Sequence, residues 1–450
     1  MMLFKMFKMK SFNTTNPNLF NTLQTLLTNG VIILLNLGTG ILTARFLGVE
    51  GRGNQAAMIM LPQFLAYSMT LGLPSSIIYN FNKHKENARE LISTTVFLAT
   101  LIGIFSAITG FFFIPTFLKN YDQNVVMFAQ FAIFLTPLGI LSTVATPILK
   151  VNNEYRIFNR LRYLMPLLTL LLLIFLVITG FNSPFTFAIA YLAPGIPLTL
   201  WLIYKIIIIY GFALKNFKNN TKILLGYGLR AYGIDLVGTF SRNINQLLIT
   251  SLFSPVFLGL YVIANSISNM LNIFQNSIVE VLFPSTAGKN KETVINASVK
   301  SARFSNYLTL IVALFMISIT PILIKVLYGQ EYLEATNLLR FLLIAVLISS
   351  SNWILCQCFL SLNKPETVAI LQSVGIVITI PLFIVFVNYY GVTGSGMAIL
   401  SSNIIRLALT ICCFKFILKV NIPNIIFSRD DIKYIKEKMK SKIGDVAYEK

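Results

Sequence analysis

Apolar segments long enough to cross a lipid bilayer recur along this whole chain, and they restrict its fold more than any other feature. About 20 helical residues cross the ~30 Å hydrocarbon core of a membrane. Because 56% of the 450 residues are hydrophobic and only 12% are charged, we predict an all-α polytopic membrane protein with twelve transmembrane helices. The predicted spans are 21–46, 54–79, 90–114, 125–149, 161–180, 184–210, 223–253, 256–283, 303–327, 334–361, 366–388 and 393–416.

Basic residues concentrate on one side of the predicted membrane. The N-terminal segment, the even-numbered loops and the C-terminal tail hold most of the 36 Lys and Arg residues. The opposite side holds only Arg45, Arg52, Lys119, Lys325 and Arg340. Since positive loops stay in the cytoplasm, both termini are predicted to be cytoplasmic in a multi-pass membrane protein. The net charge of +20 therefore reflects topology and contacts with membrane lipids, and no nucleic-acid partner is expected.

The predicted spans divide the chain into two halves with short additions at both ends. A basic, polar stretch at 211–222 is predicted to be a cytoplasmic linker between six-helix bundles at 19–210 and 223–416. Residues 1–18 are predicted to be a cytoplasmic or interfacial segment, and 417–450 a basic amphipathic cytoplasmic tail. Within that tail, an N-cap pattern and an apolar stripe predict a helix over 428–443, on the membrane surface or in the cytosol.

The seventh span carries a polar stripe. Tyr232, Asp235, Thr239, Arg242 and Gln246 are spaced 3, 4, 3 and 4 residues apart, which places them on one face of a helix. A charge at the bilayer centre costs roughly 2.5–3.5 kcal/mol on insertion scales, so such residues usually face protein or a water-filled cavity. The stripe predicts a polar lumen for its charged members. For its neutral members, hydrogen bonding between helices is an equal alternative.

A weak internal repeat relates the two halves. An offset of 206 residues places Gly53 on Gly259, and it aligns polar residues of the first two helices in each half. The aligned polar pairs are Asn29 with Asp235, Asn36 with Arg242, Gln63 with Asn269, and Thr70 with Asn276. Six spans per half keep the halves parallel, which predicts two six-helix bundles related by pseudo-two-fold symmetry around a central cavity.

Charged and polar residues within the spans are the candidate substrate contacts. The planar guanidinium of arginine suits phosphate, whereas asparagine and tyrosine suit a hydroxyl-rich sugar. The predicted substrate-binding residues are Arg242, Asp235, Arg406, Arg45, Arg230, Asn36, Asn269, Asn276 and Tyr232. Asp235 and Glu280 are candidates for a coupling ion. Alternatively, Arg45 is an interfacial anchor, Asp235 only neutralises Arg242, and Glu280 is interfacial.

Catalytic and metal-binding patterns are missing from the sequence. His84 is the only histidine, the four cysteines fall inside apolar runs, and no phosphate-binding GxxxxGK[ST] motif occurs. No paired carboxylates lie in a long outer loop, as an enzyme acting on lipid-linked sugars would need. We therefore predict that the chain is not an enzyme and uses neither a metal nor another cofactor.

Short motifs along the chain resemble the O-antigen-type flippases of polysaccharide biosynthesis, within the multidrug/oligosaccharidyl-lipid/polysaccharide exporter superfamily. The motifs are Ala44-Arg45-Phe46-Leu47-Gly48 with Gly53, Gly259 to Ala264 followed by Phe283-Pro284, Tyr328 to Tyr332, and Gly391 to Ala398. Gly396 departs from the pattern, since a small alanine is commoner there. The resemblance runs from about residue 19 to 416, and of the candidate site residues only Arg45 is assigned through a motif.

This resemblance implies a function. The family moves undecaprenyl-diphosphate-linked oligosaccharide units across the inner membrane by alternating access, for surface polysaccharides such as the lipopolysaccharide O-antigen. The implied partners are the lipid-linked oligosaccharide, membrane lipids, a polysaccharide polymerase and glycosyltransferases. The alternatives are a multidrug or cation exporter of the same fold, a membrane glycosyltransferase or polymerase, and a peptidoglycan-precursor flippase, which usually has two extra helices.

Overall fold

The computed structural model describes residues 17–151, 154–286 and 288–425. Over these residues the chain folds into α-helices joined by short connections and three 3₁₀ turns. The helices are α1 (Pro17–Ser68), α2 (Leu73–Lys83), α3 (Ala88–Phe117), α4 (Gln123–Ala132), α5 (Thr136–Val151), α6 (Tyr155–Thr179), α7 (Pro184–Leu192), α8 (Gly195–Tyr210), α9 (Phe217–Leu252), α10 (Pro255–Asn269), α11 (Asn272–Thr286), α12 (Lys291–Leu327), α13 (Ala335–Ser361) and α14 (Pro365–Phe416). The predicted tail helix 428–443 and residues 1–16 of the predicted N-terminal segment lie outside the described residues.

The predicted all-α membrane fold is confirmed. In the described part of the chain, eight helices are long and apolar enough to span a membrane, or nine if the bent pair α10 and α11 is one span. Two of the eight, 28–81 and 365–416, are long enough to cross twice, and α9 adds a further predicted span that its polar stripe makes less apolar. These helices account for all twelve predicted spans.

Two glycines break long helices without an intervening loop. Gly48 within α1 has φ 66° and ψ −176°, and Gly391 within α14 has φ 56° and ψ −137°. A positive φ is costly for residues with a side chain but not for glycine. Each of these long helices is therefore two membrane helices joined at a single glycine, a break that apolar content alone does not reveal.

In the described part of the chain, the first compact unit comprises 17–46, 58–116, 123–151 and 154–232. Its core is an apolar cluster in which Leu73, Leu91 and Ile140 have almost no exposed surface. Large apolar side chains elsewhere in this unit point outward, and Phe105 is 68% exposed. An outward apolar surface of this kind fits contact with lipid rather than with water.

In the described part of the chain, the second compact unit comprises 47–57, 117–122, 233–286 and 288–425. Its apolar cluster includes the fully buried side chains of Phe359 and Phe414, which pack edge to face. The residues that follow Gly48 belong to this unit and are held by Tyr332, whose hydroxyl donates to the Gly48 carbonyl at 2.8 Å. Burial raises the pKa of the Tyr332 phenol, so this donor keeps its proton.

The unit boundary falls inside α9, between residues 232 and 233. Since α9 begins at Phe217, the second part of the predicted linker 211–222 is helical. The division into bundles at 19–210 and 223–416, their pseudo-two-fold relation and the central cavity remain predictions.

Candidate functional site

A polar cavity of about 650 Å³ lies within the first unit. It is formed by both segments of α1 with α5, α6, α7 and α8, and it also has an apolar lining that includes Ile32 and Met165. Its polar lining consists of Asn36, Thr39, Gln63, Tyr67, Ser142, Thr143, Arg162, Thr169, Tyr191 and Thr199. A volume of this size is typical of sites for small molecules or for part of a larger ligand.

The helices place these polar groups by regular spacing. Asn36 and Thr39 lie one turn apart on α1, and Gln63 and Tyr67 lie four residues apart after the Gly48 break. Asn36, Gln63 and Tyr67 are exposed although their helices are apolar, because they face the cavity. The predicted stripes of the first two spans therefore meet at one site, and Asn36 lies where a ligand can reach it.

Hydrogen bonds hold two further lining residues in place. Arg162 donates from Nη2 to Asn29 Oδ1 at 2.8 Å, and its guanidinium lies 5.3 Å from the Phe158 ring centroid. At the other side, the Thr43 and Tyr191 hydroxyls lie 3.2 Å apart. These contacts preorganise donors and acceptors around the cavity, which lowers the ordering cost of binding.

The chemistry of the lining suits a hydroxyl-rich, uncharged ligand. Most of the lining is apolar, and its polar part consists mainly of hydroxyl and amide groups. Arg162 supplies one positive charge, and no Asp or Glu lines the cavity within the described chain. A ligand with many hydroxyls can exchange hydrogen bonds with such groups, while Tyr67 and Tyr191 offer ring faces.

The polar stripe on α9 has mixed roles. The Tyr232 hydroxyl donates to the Ser68 carbonyl at 2.7 Å, and Thr239 is buried and donates to the Asp235 carbonyl at 2.9 Å. Tyr232 therefore bonds to another helix, as in the alternative of hydrogen bonding between helices, whereas Thr239 bonds within its own helix. Asp235 and Arg242 are exposed on the same helix.

Arg406 is partly buried within the second unit. Its Nη1 donates to Ser241 Oγ at 3.1 Å, and its Nε is buried with no hydrogen-bond partner among the described residues. A Cβ built at Gly375 would lie 2.3 Å from Nε, so only glycine leaves room for the guanidinium there. An incompletely satisfied buried cation destabilises a fold, and it marks Arg406 as a functional candidate.

Arg242 is adjacent to the residue of α9 that Arg406 contacts. Ser241, which Arg406 contacts, directly precedes Arg242 on α9. A Cβ built at Gly238 would lie 3.5 Å from Gln372 Oε1 and 4.0 Å from Arg242 Nη1. Two predicted arginines and the Gln372 amide are therefore gathered where α9 meets α14.

The remaining predicted site residues are more scattered. Asn269 accepts a hydrogen bond from Asn272 Nδ2 at 2.9 Å, at the break between α10 and α11. Arg45, Arg230, Asn276 and Glu280 are exposed, and none of them lines the cavity of the first unit. That these residues bind the substrate or a coupling ion remains a prediction.

Several residues of these sites were not predicted. Arg162, at the start of the predicted span 161–180, was not among the candidate site residues, but it lies in the first turns of α6 and faces the cavity. The sequence pattern does not identify Tyr191, Ser241, Gln372 or Gly375 as site residues, because each is a single polar or small residue in an apolar run. The position of Arg162 at the start of a predicted span was the one sequence signal for it.

Comparisons with known proteins agree with this architecture. The profile of a family described as "Polysaccharide biosynthesis protein" matches residues 42–337. The structure of the lipid II flippase MurJ in an inward closed conformation has a TM-score of 0.74 at 16% identity, covering 92% of this chain and 89% of that chain. An inward-facing multidrug resistance MATE family transporter of the MOP superfamily has a TM-score of 0.72 at 17% identity, covering 86% and 94%.

A Vibrio cholerae MATE transporter, VcmN, has a TM-score of 0.63 at 14% identity, covering 89% of this chain and 96% of that chain. A comparison with curated protein sequences finds no match. At these low identities the structural likeness establishes the fold, while the profile establishes the family.

Proposed function

The chain belongs to the polysaccharide biosynthesis protein family, and from this premise we propose that it is a flippase for lipid-linked oligosaccharides. Its cargo would be an undecaprenyl-diphosphate-linked repeat unit, moved from the cytoplasmic to the outer leaflet of a bacterial inner membrane by alternating access. The product would supply a surface polysaccharide such as the lipopolysaccharide O-antigen. Glycosyltransferases would act before the flippase, and a polysaccharide polymerase would act after it.

The polar cavity of the first unit is the observation that best supports this proposal. A glycan needs a water-accessible path lined by hydrogen-bonding groups, since its hydroxyls cannot be left unsatisfied in hydrocarbon. The cavity provides amides and hydroxyls from Asn36, Gln63, Ser142 and Tyr191. We assign the oligosaccharide of the cargo to this site.

The arginines of the second unit suit the diphosphate of the same cargo. Arg242 is exposed, and Arg406 holds a guanidinium with an unpartnered Nε beside Ser241. Charge-assisted hydrogen bonds from guanidinium to phosphate are roughly twice as strong as neutral ones. We assign the diphosphate to Arg242 and Arg406, and keep Asp235 and Glu280 as candidates for a coupling ion.

A multidrug or cation exporter is the second candidate, because the fold is also that of MATE transporters. A cation exporter needs carboxylates at its binding site to offset the charge of the cargo. The cavity lining described above contains Arg162 and no carboxylate. This favours the saccharide over the cation, and the family supports transport rather than a glycosyltransferase or polymerase reaction.

Deletion and reconstitution together test the proposal. Removing the gene from its host should abolish the surface glycan and cause the lipid-linked intermediate to accumulate on the cytoplasmic leaflet. The purified chain in liposomes should expose a fluorescent lipid-linked oligosaccharide to an external glycosidase faster than protein-free liposomes do. Unchanged surface glycan after deletion, or restored efflux of cationic dyes as the only effect of the chain, would reject it.

A further inference from the structure

A second concave site lies in the first unit, at the end of α2. Ser75, Tyr79 and Lys83 are four residues apart on one face of this helix. Together with Ile78 and with Tyr227 of α9 they line a volume of about 670 Å³. This site shares no lining residue with the polar cavity. We call it the tyrosine platform.

Backbone contacts bring the two helices of the platform together. A Cβ at Gly72 would lie 2.1 Å from the Gly228 carbonyl oxygen, and Ser76 donates from Oγ to the Leu224 carbonyl at 2.6 Å. Gly72 also has a φ of 69°, which favours glycine at this turn. The helices therefore approach closely through small residues, and their crossing does not depend on the tyrosine rings.

The tyrosines themselves remain accessible. The rings of Tyr79 and Tyr227 stack with centroids 4.3 Å apart and an interplanar angle of 9°. Tyr79 is nevertheless 45% exposed and Tyr227 37% exposed. Lys83 Nζ lies 5.8 Å from the Tyr79 ring centroid. An exposed pair of aromatic rings beside an ammonium group suits a ligand that carries both a ring and a negative charge.

We propose that the tyrosine platform binds the saccharide-diphosphate headgroup of a lipid-linked oligosaccharide before it enters the polar cavity. Lys83 would bind the diphosphate as a point charge, and the tyrosine rings would contact the apolar face of the first sugar. The inference rests on the proposed function and deepens it, since it assigns a separate initial binding site for the same cargo.

The position of the platform supports this order of events. Lys83 lies at the C-terminal end of α2, next to the basic loop that is predicted to be cytoplasmic. Lipid-linked saccharides would be presented on that side. Arg230 is exposed three residues after Tyr227 on α9, but it does not line the platform.

A phospholipid headgroup offers phosphate as well, and tyrosines often lie at membrane interfaces. The extent of ring surface favours the saccharide, because a phospholipid phosphate needs only the cation. The experiment must therefore separate these two sources of phosphate.

Photo-cross-linking of the full chain tests the site directly. The variant Ile78→p-benzoylphenylalanine places a cross-linker in the platform, and the protein is reconstituted in phosphatidylcholine nanodiscs. The probe is a ten-carbon prenyl diphosphate carrying one N-acetylglucosamine. We expect cross-linking that falls about threefold to fivefold with Lys83→Gln, as for loss of an exposed charge pair. Tyr227→Leu should lower it similarly, whereas Lys218→Gln, elsewhere on α9, should not.

Competition then identifies the source of the phosphate. Excess unlabelled probe should abolish the cross-link, and 20% phosphatidylglycerol should leave most of it. Equal competition by phosphatidylglycerol, or cross-linking unaffected by Lys83→Gln and Tyr227→Leu, would overturn the proposal. A failed flippase function would instead appear as unchanged surface glycan after gene deletion, whatever the cross-linking result.

Cell-based export provides a second readout that excludes a purely structural role of the rings. Tyr79→Phe with Lys83→Gln keeps both aromatic rings and the helix crossing but removes a hydroxyl and the cation. This double variant should accumulate to the wild-type level and export less glycan. If this variant exports as much glycan as the unmodified chain, the platform is only a packing contact.

Discussion

Gly53 and Gly259 make a reciprocal contact within the second unit. A Cβ at Gly53 would lie 1.8 Å from the Pro255 carbonyl oxygen, and one at Gly259 would lie 2.0 Å from the Val49 carbonyl oxygen. Val49 and Pro255 each precede the glycine of their own helix by four residues. This is the contact that a local two-fold axis produces, at the pair of glycines that the 206-residue offset aligned.

Alanine at either glycine should destabilise the protein. Gly53→Ala or Gly259→Ala places a methyl group against a backbone carbonyl, which cannot rotate away as a side chain can. We expect a loss of about 1–3 kcal/mol, measured as a lower thermal midpoint of the purified protein in detergent. Gly226→Ala is the control, because nothing lies within 4 Å of its Cβ position, and it should change stability by less than about 1 kcal/mol.

Replacing Arg242 should affect transport without affecting folding. Arg242 is exposed, so Arg242→Ala leaves no cavity in the packed core. Loss of one charge-assisted contact to the diphosphate, worth roughly 1.5–3 kcal/mol, should lower glycan export by about tenfold or more. Surface glycan and membrane protein level are measured together, with Lys119→Ala as an exposed basic control. Full export by Arg242→Ala at normal protein level would remove this arginine from the site.

Arg406 should show opposite effects on stability and transport. Replacing an incompletely satisfied buried charge by an apolar group of similar length is often neutral or stabilising. Arg406→Met should therefore retain or raise the thermal midpoint while lowering export. Gly375→Ala should also lower export, because its Cβ would displace the guanidinium. If Arg406→Met loses stability and export in parallel, the arginine has only a structural role.

Filling the polar cavity should block the glycan. Ser142 lines the cavity and is partly exposed, so Ser142→Phe would occupy space that the oligosaccharide needs. We expect export to fall by about tenfold or more, equivalent to roughly 1.4 kcal/mol of lost binding. Thr109→Phe places the same side chain on an exposed position of α3 outside the cavity and should export normally. Normal export by Ser142→Phe would place the path elsewhere.

The predicted orientation can be tested with reporters. A phosphatase that is active only in the periplasm should be inactive when fused after Lys450 and active when inserted after Asn182, in the turn between α6 and α7. The expected pattern follows from the basic residues of the cytoplasmic loops. Phosphatase activity after Lys450 would overturn the predicted cytoplasmic C-terminus.

Much of the fold was predictable from composition, because the cost of exposing polar backbone to lipid leaves few alternatives to helices. Apolar runs predicted all twelve spans. The runs did not predict that Gly48 and Gly391 would each join two spans without a loop, or that α10 and α11 would bend by 49°. Those features depend on backbone dihedral angles at single residues, which hydropathy does not report.

The candidate sites were only partly predictable. Helical spacing identified which face of a helix is polar, as for Asn36 and Arg242, because spacing depends on one helix alone. It did not identify the neighbours of that face. Tyr232 donates a hydrogen bond to Ser68, and Arg406 donates one to Ser241 and lies against Gly375. Each of these contacts joins residues that are far apart in sequence. Such contacts need the tertiary structure.

The reciprocal contact at Gly53 and Gly259 also imposes an order of events while the protein is being synthesised. The segment with Gly53 leaves the ribosome about two hundred residues before Pro255, a delay of roughly 10–40 s at ~5–20 residues per second. During that interval the backbone around Val49 and Gly53 has no partner helix, so insertion factors or lipid must cover it. Truncated chains that end before α10 should therefore be recognised by membrane proteases, even though their first helices are complete.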